Sequence, residues 1–320
     1  EYPDASQNAP FGVTTELVYV RFHVEKKNGY VNDVGRDKLR VLEDGKPQTI
    51  ALLETPSMAE RTIPTEVILA LDVSSSVMHA RLLDQPLVQE VFLASLSQQA
   101  RVGLCAFGGE LRCPTPPTRD VDDLMRGFDD AISFSRETRQ QGTRLYASLA
   151  DICRRTPGGT ASKDGAPAAK VQRAMVVFSD GLDNHGGKVA EAIEAAAASD
   201  VRVYAIKLSD AFKDTAPTLR GGFGGAPNRA MYDYKKFDLD KLADETGGQA
   251  FEPSSLDRKK LAEILHQIAT EITMENVLGY QPAGPATGKK RRVKVELVDK
   301  SVGAIRDGER TIVVARGELF

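Results

Sequence analysis

The chain has 320 residues, of which 41% are hydrophobic and 27% charged, with no tryptophan; that profile belongs to a folded globular protein and excludes a largely disordered one. Its formal net charge of -3 gives no strong one-signed field to hold phosphate backbones, so nucleic acid is not an expected partner. No apolar run approaches the roughly 18 residues a membrane span needs, and insertion of this chain into a membrane is not expected.

Taken in chain order, Leu17 to Val24 alternates, with Val18, Val20, Phe22 and Val24 on one face and Tyr19, Arg21 and His23 on the other. That period of two predicts a half-buried strand. Asn28-Gly29 marks a turn, and Lys38 to Glu43 and Gln48 to Leu53 read as two further strands joined at Asp44-Gly45. The pattern then changes: Val67 to Leu71, Val102 to Phe107, Ala174 to Phe178 and Val201 to Leu208 are short apolar runs separated by helical segments. Strands buried on both faces and alternating with helices predict a parallel sheet covered on each side. One helix shows its stripe plainly in Leu145, Leu149, Ile152 and Cys153, and a longer closing helix is expected from Leu256 to Val277. Arg292 to Val298 and Thr311 to Ala315 return to strand character around turns at Ser301 to Gly303 and Asp307-Gly308. The expected fold is therefore α/β: a doubly wound, mostly parallel sheet over residues 65–281, inserted in a small antiparallel β module built by the flanks 1–64 and 282–320. Two short flanks need each other, because an isolated hairpin is marginal.

Three cysteines cannot all pair within one chain, and they lack the CxxC spacing of a zinc or redox site. Cys153 falls on the apolar helix face and reads as core. Cys105 and Cys113 flank Gly108-Gly109 and could face each other across a hairpin, so a disulfide there stays open.

The chemistry concentrates at two strand ends. Val67-Ile-Leu-Ala-Leu runs into Asp72, followed by Val73-Ser74-Ser75-Ser76, and Ala174 to Phe178 runs into Ser179-Asp180-Gly181. In an open α/β sheet these ends face the crevice where ligands sit. Gly142-Thr143, just before a helix, adds a hydroxyl. Two carboxylates side by side repel unless protonated or joined by a cation, and an all-oxygen donor set suits Mg²⁺, Mn²⁺ or Ca²⁺. The expected metal ligands are Asp72, Ser74, Ser76, Thr143 and Asp180.

This ordered set, Asp72-Val-Ser74-Ser-Ser76, Gly142-Thr143 and Ser179-Asp180-Gly181, resembles the metal-ion-dependent adhesion site of von Willebrand factor type A domains over about Thr65 to Val277. The resemblance implies a binding module, not an enzyme, whose metal accepts an Asp or Glu carboxylate of a protein ligand. Ser75 stands where glycine is frequent in that family. Leu42-Glu-Asp-Gly-Lys-Pro-Gln48, Leu145-Tyr146, Leu278-Gly-Tyr280-Gln-Pro282 and Arg316-Gly-Glu-Leu-Phe320 resemble the von Willebrand factor A-related proteins of acidobacteria, which implies an exported protein, periplasmic, secreted or at the cell surface. The chain begins at Glu1 with no apolar leader, as expected of a processed or cut sequence.

Other readings compete. A strand-end Asp is also the nucleophile of haloacid-dehalogenase-type phosphatases, but Ser74 occupies the place of their general acid. A structural module with an incidental ion is the third class. His79 and His185 lie near the metal loops and read as solvated helix-start residues. Gly221-Gly-Phe-Gly-Gly225 lacks the Lys-Ser/Thr of a phosphate cradle and reads as a surface loop. Lys289-Lys-Arg-Arg292 reads as a solvated strand entry. Partner selectivity is expected in the loops Val77 to Arg81, Gln140 to Arg144, Gly181 to Gly187 and Ser209 to Tyr234, the last carrying Phe212, Phe223, Met231 and Tyr232.

Overall fold

The computed structural model of the protein describes residues 17–27, 29–79, 85–138, 141–155, 170–208, 229–253, 257–282 and 290–313. The chain divides into two compact units, Arg61–Thr273 and a second one made of Glu1–Glu60 with Met274–Phe320.

The second unit begins with strands β1 (Val18–Lys26), β2 (Gly29–Tyr30), β3 (Leu39–Glu43) and β4 (Lys46–Glu54). Asp44 and Gly45 take positive φ, 48° and 78°, which makes the tight turn expected between β3 and β4. The first unit follows with β5 (Thr65–Asp72), α1 (Ser75–His79), α2 (Gln85–Leu87) running into a π-helical turn at Val88–Leu93, β6 (Arg101–Phe107), β7 (Leu111–Thr118), α3 (Val121–Thr138), α4 (Leu145–Arg155), β8 (Gln172–Ser179), α5 (Val189–Ala198), β9 (Val201–Lys207), α6 (Arg229–Thr246), β10 (Ala250–Phe251) and α7 (Arg258–Thr273). The chain then returns to the second unit with β11 (Asn276–Gln281), β12 (Lys290–Leu297), β13 (Ala304–Arg306) and β14 (Glu309–Val313).

In the first unit the strand order is β10-β9-β8-β5-β6-β7, parallel except for β7. All residues of β8 and β9 are buried, as continuous apolar runs demand of central parallel strands. Val67, Leu69 and Leu71 of β5 pack on one face with Phe92, Phe128 of α3 and Ile264, Leu265 and Ile268 of α7. Ile68 and Ala70 face the other side, against Leu145, Leu149, Ile152 and Cys153 of α4, Ala192 and Ala196 of α5, and Leu239 and Leu242 of α6. Helices thus cover both faces, which is the doubly wound α/β arrangement the sequence pattern implies.

Three departures from the sequence reading have physical causes. Strand β7 carries Pro114, Pro116 and Pro117 and was not anticipated. Proline cannot donate to a ladder, and the strand survives because it lies at the sheet edge, antiparallel to β6 with two register breaks. The closing helix stops at Thr273, not Val277, and residues 276–281 leave the α/β unit: β11 pairs with β1 and β4. Leu278 and Tyr280, both buried, pack into the core of the β unit with Val20, Phe22, Val24, Val41, Val293 and Val295. The third concerns the basic run before Val293. Lys289 lies outside the described residues, Lys290 and Arg292 are exposed, and Arg291 is buried and bound to Glu43 at 2.5 Å.

The β unit's strand path runs β13-β1-β11-β4-β3-β12-β14, with β2 added on β1. Its two ends are consecutive in the chain, joined through Asp307 (φ 61°) and Gly308, whose carbonyl accepts from Val295 N at 2.6 Å. One bent terminal segment therefore pairs with β12 on one side and β1 on the other. The two ends of the strand path are linked in this way through a single turn.

Cys105 of β6 and Cys113 of β7 form a disulfide across the Gly108-Gly109 hairpin, with an S–S distance of 2.09 Å, while Cys153 is free and buried. Burial pushes the Cys153 thiol up to about 12, which leaves it inert as a nucleophile. Closing a loop of sequence separation 8 restricts the unfolded chain by about 2.5 kcal/mol. Urea unfolding in reductant, or of the Cys105→Ser/Cys113→Ser variant, is expected to show a loss of about that size. No shift in midpoint on reduction would mean that the bridge does not form in solution.

Candidate metal centre

Between β5 and β8 the chain's connections turn in opposite directions, β5 leading toward β6 and β8 toward β9, so their carboxyl ends open a crevice at the switch point. Leu71 pairs with Phe178, which sets Asp72 and Ser179, the next residue on each strand, side by side. Asp72 is fully buried, and Ser179 Oγ donates to its Oδ2 at 2.6 Å. The backbone N–H of Ser74 donates to Asp72 Oδ1 at 2.9 Å, so the carboxylate braces the loop that follows it. Asp180 Oδ1 does the same for Leu182 N at 3.0 Å, and Gly181 takes φ 80° to let that turn close.

The hydroxyls complete the arrangement. Ser76 Oγ donates to Asp180 Oδ2 at 2.7 Å, and Ser74 Oγ and Ser76 Oγ lie 3.1 Å apart. Asp72, Ser74, Ser76 and Asp180 are thereby gathered in one connected set, although residues 72–76 and 180 come from different strands. Thr143 is buried, but its hydroxyl makes no hydrogen bond to the other four among the described residues. Its position is fixed through the backbone: Thr143 N donates to Asn184 Oδ1 at 3.0 Å, and Asn184 N donates to Thr143 O at 2.9 Å.

The electrostatics are uncompensated. Burial, and then the nearby Asp180 charge, push the Asp72 carboxyl from 3.8 up to about 7, against the hydrogen bonds from Ser179 and Ser74. Burial also raises Asp180 above the usual carboxylate range. No Lys or Arg among the described residues ion-pairs with either carboxylate. A pair of buried carboxylates with hydroxyl neighbours and no cationic side chain fits a hard divalent cation, since protonation or a metal must otherwise relieve the repulsion.

The profile of the von Willebrand factor type A domain matches residues 66–245. The chain belongs to that family. Its A domain is the α/β unit, with the crevice of Asp72 and Asp180 at the place where such a sheet carries its ligands. No curated protein matches the sequence. Among solved structures, a von Willebrand factor type A protein from Catenulispora acidiphila is similar over 95% of this chain and 74% of its own, at 14% identity and a TM-score of 0.44. An aerotolerance-related membrane protein from Bacteroides fragilis is similar over 65% of this chain and 99% of its own, at 19% identity and a TM-score of 0.41. Proximal thread matrix protein 1 from the mussel byssus, in a form with a zinc-occupied MIDAS motif, is similar over 67% of this chain and 49% of its own, at 15% identity and a TM-score of 0.41.

Residues the sequence reading passed over hold the A-domain site together. Ser179 orients Asp72, and Asp183, buried in the Gly181 to Gly187 loop, accepts from Tyr146 N at 3.1 Å and so caps the first turn of α4. His185 is exposed, as a solvated residue should be, and donates from Nε2 to the Gln141 carbonyl at 2.7 Å. The side chain of His79, Gln140 and the segment 209–228, including Gly221 to Gly225, Phe212 and Phe223, lie outside the described residues, as do the side chains of Met231 and Tyr232. No helix among the described residues is long and apolar enough to cross a membrane.

Proposed function

We propose that the A domain binds one divalent cation, Mg²⁺, Mn²⁺ or Ca²⁺, through Asp72, Ser74, Ser76, Thr143 and Asp180, and uses it to capture an acidic side chain of a protein partner. The observation that carries this reading is the buried Asp72 and Asp180 pair with no Lys or Arg ion-paired to it among the described residues, in a donor set made of oxygen alone. When bound, the cation supplies charge neutralisation for the pair and a Lewis-acid position for an oxygen ligand from outside. The chain's own part is to hold both carboxyl groups in a fixed place, so that an arriving cation meets them without rearrangement. Ser74 and Ser76 place neutral hydroxyls beside them, which adds donors without cancelling the cation's charge and so keeps it attractive to an incoming carboxylate. Hydrolysis is not part of this reading, because Ser74 stands two residues after Asp72 where a phosphoryl-transferring aspartate needs an acid. The Cys105–Cys113 bridge favours an exported protein, since disulfides persist in oxidising compartments.

Calorimetric titration with Mg²⁺ and Mn²⁺ tests the site. One cation per chain is expected, with thermal stabilisation that grows with the logarithm of metal concentration. Asp72→Ala is expected to abolish both. Undiminished metal affinity in that variant would remove the assignment.

A further inference from the structure

The loop after Asp180 reaches back to the Thr143 segment at every one of three consecutive residues. Asp183 accepts from Tyr146 N at 3.1 Å, Asn184 exchanges two hydrogen bonds with the Thr143 backbone at 3.0 and 2.9 Å, and His185 donates to Gln141 O at 2.7 Å. Asp183 is braced in turn, its Oδ1 accepting from His185 N at 2.9 Å and Gly187 N at 3.0 Å. From the other side, Arg144 N donates to Gly108 O at 2.9 Å, at the tip of the disulfide hairpin. The fit is close at the centre: Gly142 has φ 73°, and a Cβ there would lie 3.1 Å from Asn184 Cβ.

Four of the five metal-site residues are joined by strand ends and side-chain hydrogen bonds, whereas Thr143 arrives on a separate segment with no such tie. We propose that Asp183, Asn184 and His185 are positioning residues that clamp the Thr143 segment to the Asp180 loop, so that the Thr143 hydroxyl joins the metal site only while the clamp is closed. The proposal rests on the metal-site reading above. Asn184 is its centre, because its side chain accepts a hydrogen bond from Thr143 itself. It is exposed and contributes no core packing, so its role is separable from stability. The clamp also explains the local sequence. Helix α4 begins at Leu145, and the residue before it is Arg144, which has no side-chain acceptor for the helix's free N–H groups. Asp183 supplies the acceptor from a distant loop, which makes the start of α4 depend on the metal loop being in place.

The experiment is Mn²⁺ titration, followed by the free-Mn²⁺ electron paramagnetic resonance signal, on the full chain and on Asn184→Ala, Asn184→Asp, Thr143→Ala and the Asn184→Ala/Thr143→Ala pair. Groups that orient metal ligands typically influence affinity by roughly ten- to a hundredfold. Asn184→Ala is expected to weaken Mn²⁺ binding by at least about tenfold with the metal-free melting temperature nearly unchanged. Asn184→Asp keeps an acceptor for Thr143 N and is expected to recover most of the affinity. The decisive result is non-additivity: the pair binds no more weakly than Thr143→Ala alone if Asn184 acts through Thr143. Gly142→Ala, which presses on the clamp from the other side, is expected to weaken binding as well. Full additivity in the pair, or unchanged affinity in Asn184→Ala, overturns the clamp while leaving the metal site standing, provided Asp72→Ala still abolishes binding. If the parent chain binds no Mn²⁺, the clamp falls together with the metal-site reading.

Discussion

Asp72→Asn is expected to stabilise the metal-free protein above pH 7 while abolishing its response to Mg²⁺. In the folded chain the Asp72 carboxyl titrates near 7, against 3.8 for the free group, chiefly through burial and then through Asp180. Between those values the folded state holds a proton that the unfolded chain has released. Stability is therefore fully present below about pH 4 and is lost as pH rises through 7, at most roughly 4 kcal/mol for a shift of that size. A bound divalent cation removes the penalty, because both carboxylates can then be ionised. Metal-induced stabilisation should accordingly grow from pH 5 to pH 8, with proton release on binding below pH 7. Asparagine escapes the penalty by another route: its Oδ1 can still accept from Ser74 N, and its Nδ2 can donate to Ser179 Oγ in place of the present 2.6 Å contact. Chemical denaturation of parent and Asp72→Asn in EDTA from pH 4 to 8 is the measurement. Parallel pH profiles for the two proteins would show that Asp72 does not carry the strain ascribed to it.

That strain is the reason much of the site was legible in the sequence. Carboxylates at the ends of buried apolar strands are conspicuous, and strands such as Val67 to Leu71 and Ala174 to Phe178 announce themselves by unbroken apolar runs. Order along the chain then placed Asp72, Ser74, Ser76 and Asp180 on one sheet edge, and the structure gathers them. Asp183, Asn184 and His185 were not legible in that way, because their work is done on backbone groups some 40 residues away, and a backbone N–H leaves no mark on composition or spacing. A usable signal existed in the absence of a capping side chain at Arg144. Strand β7 was hidden by Pro114, Pro116 and Pro117, which an edge tolerates and a pattern search rejects. The sequence carries the closing helix on to Val277 because that residue continues the apolar stripe of α7 in helical register, and only the pairing of β11 with β1 and β4 separates it.

The basic run shows the same limit from the opposite direction, and it leads to the largest effect expected in the β unit. Lys290 and Arg292 point outward on β12, but strand alternation carries Arg291 inward with Val293 and Val295. There Arg291 Nη1 donates to Glu43 Oε1 at 2.5 Å, and Tyr280 Oη donates to Glu43 Oε2 at 2.6 Å. Glu43, Tyr280 and Arg291 come from β3, β11 and β12, so one carboxylate joins strands from both ends of the chain. Burial, together with Glu43, holds the Tyr280 hydroxyl well above the usual phenol range, which keeps it a donor at any ordinary pH. Replacing Glu43 by alanine takes the carboxylate away from a buried guanidinium and from a buried hydroxyl that both bind it. The expected cost is about 3–5 kcal/mol, most of it from the stranded charge and not from the lost attraction. Glu43→Leu combined with Arg291→Met and Tyr280→Phe removes the carboxylate, the guanidinium and the phenol hydroxyl together and should recover most of that loss, because well-packed apolar groups can replace a buried ion pair at little cost. Urea unfolding, with amide hydrogen exchange on β3, β11 and β12, distinguishes the outcomes. A single Glu43→Ala variant that loses less than about 1 kcal/mol would mean that Arg291 reaches water in solution, and that this cluster adds little to the strand pairing and apolar core that join the flanks.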